Sequence, residues 1–253
     1  MRSTESDNGL HSKVRRLIFG PQERFEKRLG YVVAAFETTG YRPRNEDVYV
    51  MFSDPGRMVG RVALHDDRTL FLFVFTADVT TSVAPTDLPA QKAMLRARFG
   101  DKPWECSQIL DALDRTDDLY FDRVSQIRMP KWSQGRIALV GDAAYCVSLV
   151  AGQGSALAMI GAYVLAGELA RAAGRHAEAF ANYENRLRAF IGAKQRGAER
   201  FAGAFAPKAR LGLWLRNQVI RSAAIPGIAR LAFGRDIIDR LRLPDYRRGE
   251  FGR

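Results

Sequence analysis

An acidic residue directly follows a short apolar run near the middle of the chain. Residues 137–140 have the length and branching of a buried strand, and Gly141 and Asp142 stand where that strand would end. The next loop closes with Gly-Gln-Gly at 152–154, where a helical pattern of small and apolar residues begins. A carboxylate can accept from sugar-type hydroxyl groups, and a helix N-terminus presents free N–H groups to negative charge. The glycines let the backbone approach a ring. The sequence therefore predicts a ligand-binding corner.

This corner resembles the second flavin-binding motif of the FAD-dependent aromatic hydroxylases, the single-component flavoprotein monooxygenases. Their pattern is GD-A-A-H-x-x-x-P-x-x-G-x-G. The matching residues are Gly135, Arg136, Val140, Gly141, Asp142, Ala143, Ala144, Gly152, Gln153, Gly154 and the run 162–166. Tyr145 stands where the family has His, and Val147 and Leu149 stand where relatives favour Pro. A loop without those prolines is expected to be less rigid before a ligand binds.

The resemblance implies FAD as the cofactor and assigns residues to it. We expect Asp142 to accept hydrogen bonds from the ribityl hydroxyl groups. The backbone of 152–155, at a helix N-terminus, is expected to stabilise negative charge on the reduced flavin. The predicted cofactor-binding residues are Gly141, Asp142, Ala151, Gly152, Gln153, Gly154 and Ser155. No residue is assigned to a catalytic step, and no metal site is predicted.

The activity implied by the resemblance is that of an NAD(P)H-dependent monooxygenase, or hydroxylase. NAD(P)H would act as a transient reductant of the flavin, and oxygen from O2 would be delivered to an aromatic or polycyclic small molecule. The chain has three histidines, His11, His65 and His176, and none has the sequence context of a catalytic triad. The residues therefore offer no rival mechanism.

Residues 8–16, NGLHSKVRR, resemble the middle fingerprint of the same family, G-A-D-G-x-x-S-x-V-R, with Asn8 in place of Asp. In the family a long segment precedes this fingerprint. It begins with a βαβ unit whose G-x-G-x-x-G turn holds the FAD pyrophosphate. The sequence contains no such turn. The resemblance therefore covers only the second half of a family member and implies a truncated or split form, which an N-terminal half polypeptide would complete.

The predicted fold class is α/β, or α+β as truncated. It is an incomplete Rossmann-like FAD-binding domain with an inserted, mainly antiparallel β-sheet substrate domain and a C-terminal helical tail. The predicted domains are a remnant of the FAD-binding domain at 1–20, the substrate domain at 21–130, the Gly-Asp motif and following helix at 131–185, and basic C-terminal helices at 186–253.

Residues 29–78 read as four strands joined by short turns, near 29–39, 47–53, 57–65 and 69–77. This arrangement favours an antiparallel meander. Helices are predicted at 86–99, with Asp87 as a cap, and at 105–114, followed by a strand at 121–128. Seven aromatic residues could line a substrate cavity, although core packing explains most of them: Tyr31, Phe36, Tyr49, Phe52, Phe71, Phe73 and Phe75.

Composition indicates a soluble, cytoplasmic protein. Apolar residues make up 47% and charged residues 26%, and the two cysteines suggest no disulfide framework. The net charge of +11 lies in the tail, because residues 186–253 hold 16 Lys and Arg against 5 Asp and Glu. A solvated helical face is the favoured interpretation, and no nucleic-acid partner is predicted.

Two other functions stay open at this point. The chain could be a non-catalytic remnant, or a half-protein that needs an N-terminal partner to bind FAD. Alternatively, it could be a module that binds a membrane surface through its basic amphipathic tail. The acidic residues of 111–118 read as a solvated face rather than as a metal site.

Overall fold

The structure is a computed structural model, and it describes residues 9–77, 87–148, 152–207, 209–223 and 241–246. The chain divides into two units. Unit 1 comprises Met1–Leu29, Ser125–Phe201 and Ser222–Arg253, and unit 2 comprises Gly30–Val124 and Ala202–Arg221.

Five strands form the main sheet. They are β1 (Glu26–Thr39), β2 (Tyr49–Asp54), β3 (Arg57–Ala63), β4 (Arg68–Thr76) and β5 (Tyr120–Ile127). Their order in the sheet is β2-β3-β4-β1-β5, and the pairs β2–β3, β3–β4 and β1–β4 are antiparallel. Together with the helices, this sheet confirms the predicted mixed α/β fold.

The predicted meander is right for β2, β3 and β4 but wrong for β1. That strand pairs with β4 rather than with β2, which follows it in the chain. Burial gives the reason. Four consecutive residues of β1, 31–34, are buried, so side chains on both faces of the strand are covered, as is typical of a central strand. In β2, Tyr49 and Met51 are exposed, which suits the edge of the sheet.

Aromatic side chains from β1 and β4 form the core of unit 2. Phe36 lies opposite Phe71 in the register of the two strands, and their ring centroids are 5.0 Å apart. Phe73 and Phe75 belong to the same buried cluster, which also contains Phe99 and Ile109 of the two following helices. Four of the seven candidate cavity aromatics therefore belong to this cluster, and a fifth, Tyr31, is also buried.

Those helices are α2 (Leu88–Phe99) and α3 (Cys106–Asp114). The predicted cap is confirmed, because Asp87 Oδ1 accepts from the backbone N–H of Ala90 at 3.0 Å. The acidic residues Asp111 and Asp114 both form ion pairs with Arg96. Among the described residues, no group of three or more His, Cys, Asp or Glu could hold a metal ion.

Unit 1 is built mainly from helices. Its elements are α1 (Lys13–Ile18), the two-residue strands β6 (Ser133–Gln134) and β7 (Ile137–Ala138), α4 (Asp142–Tyr145), α5 (Gly154–Arg171) and α6 (His176–Phe205). The helix predicted after the Gly-Gln-Gly loop is α5. The strand predicted over 137–140 is shorter, because β7 has only the two residues of β6 as a partner.

The tail contains α7 (Arg210–Ala223), and the described residues 241–246 pack on α5 within unit 1. Tyr246 donates from its hydroxyl to Glu168 Oε1 at 2.7 Å, and Arg186 Nε lies 2.6 Å from the same oxygen. Arg186 balances the charge of the buried Glu168, and the Tyr246 hydroxyl gives the same oxygen a hydrogen bond. Of the helices in the described part of the chain, none is long and apolar enough to cross a membrane.

A buried ion pair fixes α3 to the sheet of unit 2. Arg61, on β3, is 3% exposed and binds both carboxylate oxygens of Glu105, at 2.7 and 3.1 Å. The hydroxyl of Tyr41 also donates to Glu105, at 2.9 Å, and Asn45 accepts from Arg61 at 2.7 Å. Burial raises the pKa of Tyr41, and its hydrogen bond to Glu105 raises that pKa further, so the phenol stays a donor.

Substitution of Glu105 with Ala is expected to lower the free energy of unfolding by about 3–5 kcal/mol, because it leaves the Arg61 charge buried without its carboxylate. Urea unfolding of the purified chain measures the change. The control is Glu37→Ala, which removes an exposed ion pair with Arg68 and is expected to lose at most about 1 kcal/mol. Equal losses in the two variants would contradict the role given to the buried pair.

Candidate functional site

An open cavity of about 510 Å³ lies in unit 1. Three segments line it: residues 138–143, the turn into α1 with Gly9, Ser12 and Val14, and the first turns of α5 with Gly154, Ser155 and Ala158. The predicted corner is thus an actual concave site with polar and apolar walls.

Gly141 allows the turn at the end of β7 to approach α5 closely. Its φ of 65° lies in the left-handed region that favours glycine. A Cβ atom on Gly141 would also lie 3.0 Å from the Cβ of Ala158. Both the backbone conformation and the available space therefore require glycine, and the turn delivers Asp142 to the cavity wall.

Asp142 is the first residue of α4, and its carboxylate lies beside the N-terminus of α5. A Cβ atom placed on Gly154 would be 3.6 and 3.7 Å from the two carboxylate oxygens, which is ordinary van der Waals contact. Gln153, at the N-cap of α5, makes no side-chain capping hydrogen bond. The first turn of an α-helix has N–H groups without intrahelical partners. A ligand at this place could therefore bind both these N–H groups and the Asp142 carboxylate.

Of the predicted site residues, Gly141, Asp142, Gly154 and Ser155 line this cavity together. Gly152, with a φ of 63°, and Gln153 directly precede α5. Ala151 lies outside the described residues. The roles given to these residues in cofactor binding stay predictions.

The site also contains residues outside the predicted set. Gly9 and Ser12 belong to the segment that resembles the middle fingerprint, so that motif could have predicted their place in the site. Ala158 follows Gly154 by four residues on α5, and that spacing places both on one helix face. Val14, on α1, belongs to the same fingerprint segment, at its Val position.

Tyr145 packs behind the turn rather than in the cavity. Its side chain is buried, and its ring centroid is 4.6 Å from that of Trp132. Its hydroxyl oxygen is 3.3 Å from that of Tyr183, which in turn donates to the carbonyl oxygen of Leu139 at 3.0 Å. Burial raises the pKa of both tyrosines, so both hydroxyls stay protonated. Tyr145 thus joins the turn to α6.

Cys146 is buried next to the same turn. Burial raises the pKa of its thiol, and the charge of Asp142 raises that pKa further. The thiol therefore stays protonated and is no nucleophile.

Two buried glutamines hold the chain that follows the turn. Gln126 Nε2 donates to the carbonyl oxygens of Val147 and Gln195, each at 2.8 Å. Gln195 Nε2 donates to those of Ile127 at 2.8 Å and Cys146 at 3.3 Å. Up to Ser148, these hydrogen bonds hold the backbone of the loop in place, although the loop lacks the prolines that relatives favour at 147 and 149.

A second cavity, of about 430 Å³, lies in unit 2 between β2 and α7. Its lining consists of Tyr49, Val50, Met51, Ser53, Arg216 and Asn217. Tyr49, one of the seven predicted aromatics, therefore faces a cavity.

Comparison with known proteins gives consistent matches. A family model described as FAD binding domain matches residues 7–195. An uncharacterized protein of Mycobacterium tuberculosis is 39% identical over 184 residues, which are 73% of this chain and 49% of that protein. A flavin-dependent monooxygenase of Legionella longbeachae is 36% identical over 198 residues, which are 75% of this chain and 48% of that enzyme.

Solved structures agree with these relatives. The crystal structure of tetracycline destructase Tet(51) has a TM-score of 0.76 and 32% identity, over 94% of this chain and 61% of that chain. The resemblance to flavoprotein monooxygenases predicted from the motifs is confirmed. The chain spans about half the length of the curated relatives it matches.

Replacement of Gly161 with Ala tests the packing behind the turn. The new Cβ would lie 1.8 Å from the hydroxyl oxygen of Tyr145, whose ring is buried against Trp132. We expect the free energy of unfolding to fall by about 1–3 kcal/mol, as in other overpacked cores. Denaturant unfolding measures the loss, and adding Tyr145→Phe should recover part of it because the clashing oxygen is gone.

The control is Gly197→Ala on α6, where a Cβ meets no atom within 4 Å. That change should stabilise the chain by about 0.5–1 kcal/mol, the usual gain for Gly to Ala in a helix. A Gly161→Ala variant as stable as the parent chain would show that Tyr145 is not held in the described position.

Proposed function

The chain belongs to the FAD-binding domain family, and from that premise we propose that it acts in an FAD-dependent monooxygenase reaction. The substrate would be an aromatic or polycyclic small molecule, with NAD(P)H as reductant and O2 as oxidant. The observation that carries the proposal is the meeting of Gly141, Asp142, Gly154 and Ser155 at one cavity. The similarity to a tetracycline destructase supports a polycyclic substrate.

The residues of the cavity fit the ribityl arm and ring of FAD. Asp142 supplies a carboxylate that can accept from several hydroxyl groups. Gly141 leaves room beside it, because a Cβ atom there would lie 3.0 Å from the Cβ of Ala158. The volume of about 510 Å³ is typical of small-molecule sites.

Bound FAD would supply the redox chemistry, which passes electrons from NAD(P)H to O2. The residues of this chain bind and orient. Asp142 accepts hydrogen bonds from the ligand hydroxyls, and the N–H groups of Gly154 and Ser155 give the site a positive potential. That potential favours negative charge on the part of the ligand that lies nearest to the helix N-terminus.

Unit 2 would bind the substrate, as the predicted substrate domain at 21–130 implies. Its cavity combines an aromatic ring, Tyr49, with the polar side chains of Arg216 and Asn217. That combination suits a planar compound with polar substituents. The pyrophosphate of FAD would be held by a dinucleotide-binding βαβ unit, whose G-x-G-x-x-G turn the sequence lacks. We assign that unit to an N-terminal half polypeptide.

A second candidate function is binding to an anionic membrane surface. One observation favours it: Leu211, Trp214 and Leu215 of α7, at helical spacing, are 68%, 56% and 51% exposed. Co-sedimentation with phosphatidylserine vesicles at low and high salt tests this function. Equal binding by the Trp214→Ala variant, or none by the parent chain at low salt, would eliminate it.

The expected effect of Asp142→Ala is at least a tenfold loss of flavin affinity, because hydrogen bonds to a charged group contribute about 1.5–3 kcal/mol. FAD and FMN are titrated separately into the purified chain, and the change in the visible spectrum is followed. Both flavins should lose affinity equally, since the cavity is assigned to the ribityl arm and ring that they share.

The control for this titration is Asp117→Ala, an exposed carboxylate of unit 2, which should bind like the parent chain. The proposal fails if neither flavin changes its spectrum with the parent chain, or if Asp142→Ala binds both as tightly. A loss seen with FAD and not with FMN would place Asp142 at the wrong end of the cofactor.

A further inference from the structure

Arg15 is fully buried in unit 1, at 0% exposure. Burial lowers the pKa of its guanidinium. In the described part of the chain, none of its hydrogen-bond partners is a carboxylate, and its Nε finds no partner there. A buried cation is unfavourable without strong compensation, so the contacts that it does make need an explanation.

Those contacts join two segments that are far apart in the chain. Arg15 Nη1 donates to the carbonyl oxygen of Ala143 at 3.0 Å and lies 3.5 Å from that of Gly9. Arg15 Nη2 donates to the carbonyl oxygen of Leu10 and, at 3.1 Å, to Gln22 Oε1. One guanidinium thus bridges the turn at 9–10 and the residue directly after Asp142.

Both ends of this bridge lie at the cavity. Gly9 and Ala143 belong to its lining, together with Asp142. The backbone N–H of Arg15 also donates to Ser12 Oγ at 3.2 Å, and Ser12 lines the cavity as well. Any movement of Arg15 would therefore disturb two walls at once.

We propose that Arg15 is a positioning residue, which locks the turn carrying Asp142 to the turn at 9–12 and so forms the cavity before a ligand binds. Arginine suits this task because its planar group offers five donors in a fixed fork. Lysine keeps the charge but has one nitrogen in place of the two that Arg15 uses, so it cannot make all of these contacts at once. The part of the proposal that concerns flavin rests on the proposed function.

The test compares Arg15→Lys with the parent chain by amide hydrogen exchange, without ligand. We expect amides in 9–12 and in 142–146 to exchange at least tenfold faster in the variant, while those of β3 and β4 in unit 2 keep their rates. The control is Arg16→Lys, an exposed neighbour on α1, which should leave both segments unchanged. Unchanged rates at 142–146 in Arg15→Lys would overturn the proposal.

A second variant keeps the test valid if Arg15→Lys fails to fold. Gln22→Met removes the amide oxygen that binds Arg15 and that also lies 3.2 Å from His11 Nδ1, and it keeps the buried arginine. Its exchange should rise in the same two segments by a smaller factor. Faster exchange spread evenly over unit 1 would show a general loss of stability and no lock, and would overturn the proposal.

Flavin titration of the same variants separates the two proposals. If the lock shapes the site, Arg15→Lys should bind FMN at least tenfold more weakly, and the spectrum of the bound flavin should differ from that with the parent chain. Equal affinity and an identical spectrum would overturn the positioning role. If the parent chain binds no flavin while exchange changes as expected, the proposed function fails and the lock stands.

Discussion

The close approach of the turn at Gly141 to α5 is the constraint on which the rest of the site depends. Contacts along this seam require glycine on each side: a Cβ on Gly141 would meet Ala158 at 3.0 Å, and one on Gly161 would meet the Tyr145 hydroxyl at 1.8 Å. Gly154 leaves the Asp142 carboxylate room beside the first turn of the helix. Because protein interiors are close-packed and deform little, these contacts fix the Asp142 carboxylate next to the positive N-terminus of α5.

A sharp turn inside the protein leaves main-chain carbonyl groups without partners in a helix or sheet, and buried carbonyl groups must be paired. Here the partners are side chains from distant segments. Arg15 binds the carbonyl of Ala143, Tyr183 that of Leu139, and Gln126 that of Val147. The backbone of the turn is irregular, and these three side chains supply hydrogen bonds to its carbonyl groups. For this reason α1, β5 and α6 all contact the turn.

The sequence predicted those elements that are determined by residues close together in the chain. Runs of strand-forming residues between turn signals located β2, β3 and β4, and alternation located β5. Asp87 marked the start of α2, and the motif predicted that Gly141, Asp142, Gly154 and Ser155 share one site. The central position of β1 could not be read in this way, because it depends on which strands lie beside it. Arg15 stands at the Arg position of the middle fingerprint, but that motif predicted neither its burial nor its contact with Ala143. A buried arginine looks like any surface arginine in a sequence, and its partner Ala143 is 128 residues away.

The energetics of the cavity limit what this corner can do alone. One carboxylate with charged hydrogen bonds contributes about 1.5–3 kcal/mol, and a helix terminus adds about 0.3–1 kcal/mol. Association itself opposes binding by at least about 4 kcal/mol, so these polar contacts alone do not hold a ligand tightly. Tight binding of the whole cofactor needs charge-assisted contacts to its pyrophosphate as well, which the walls of this cavity do not offer. In the proposed function the corner would therefore orient the reactive end of the cofactor, and groups beyond these walls would anchor its other end.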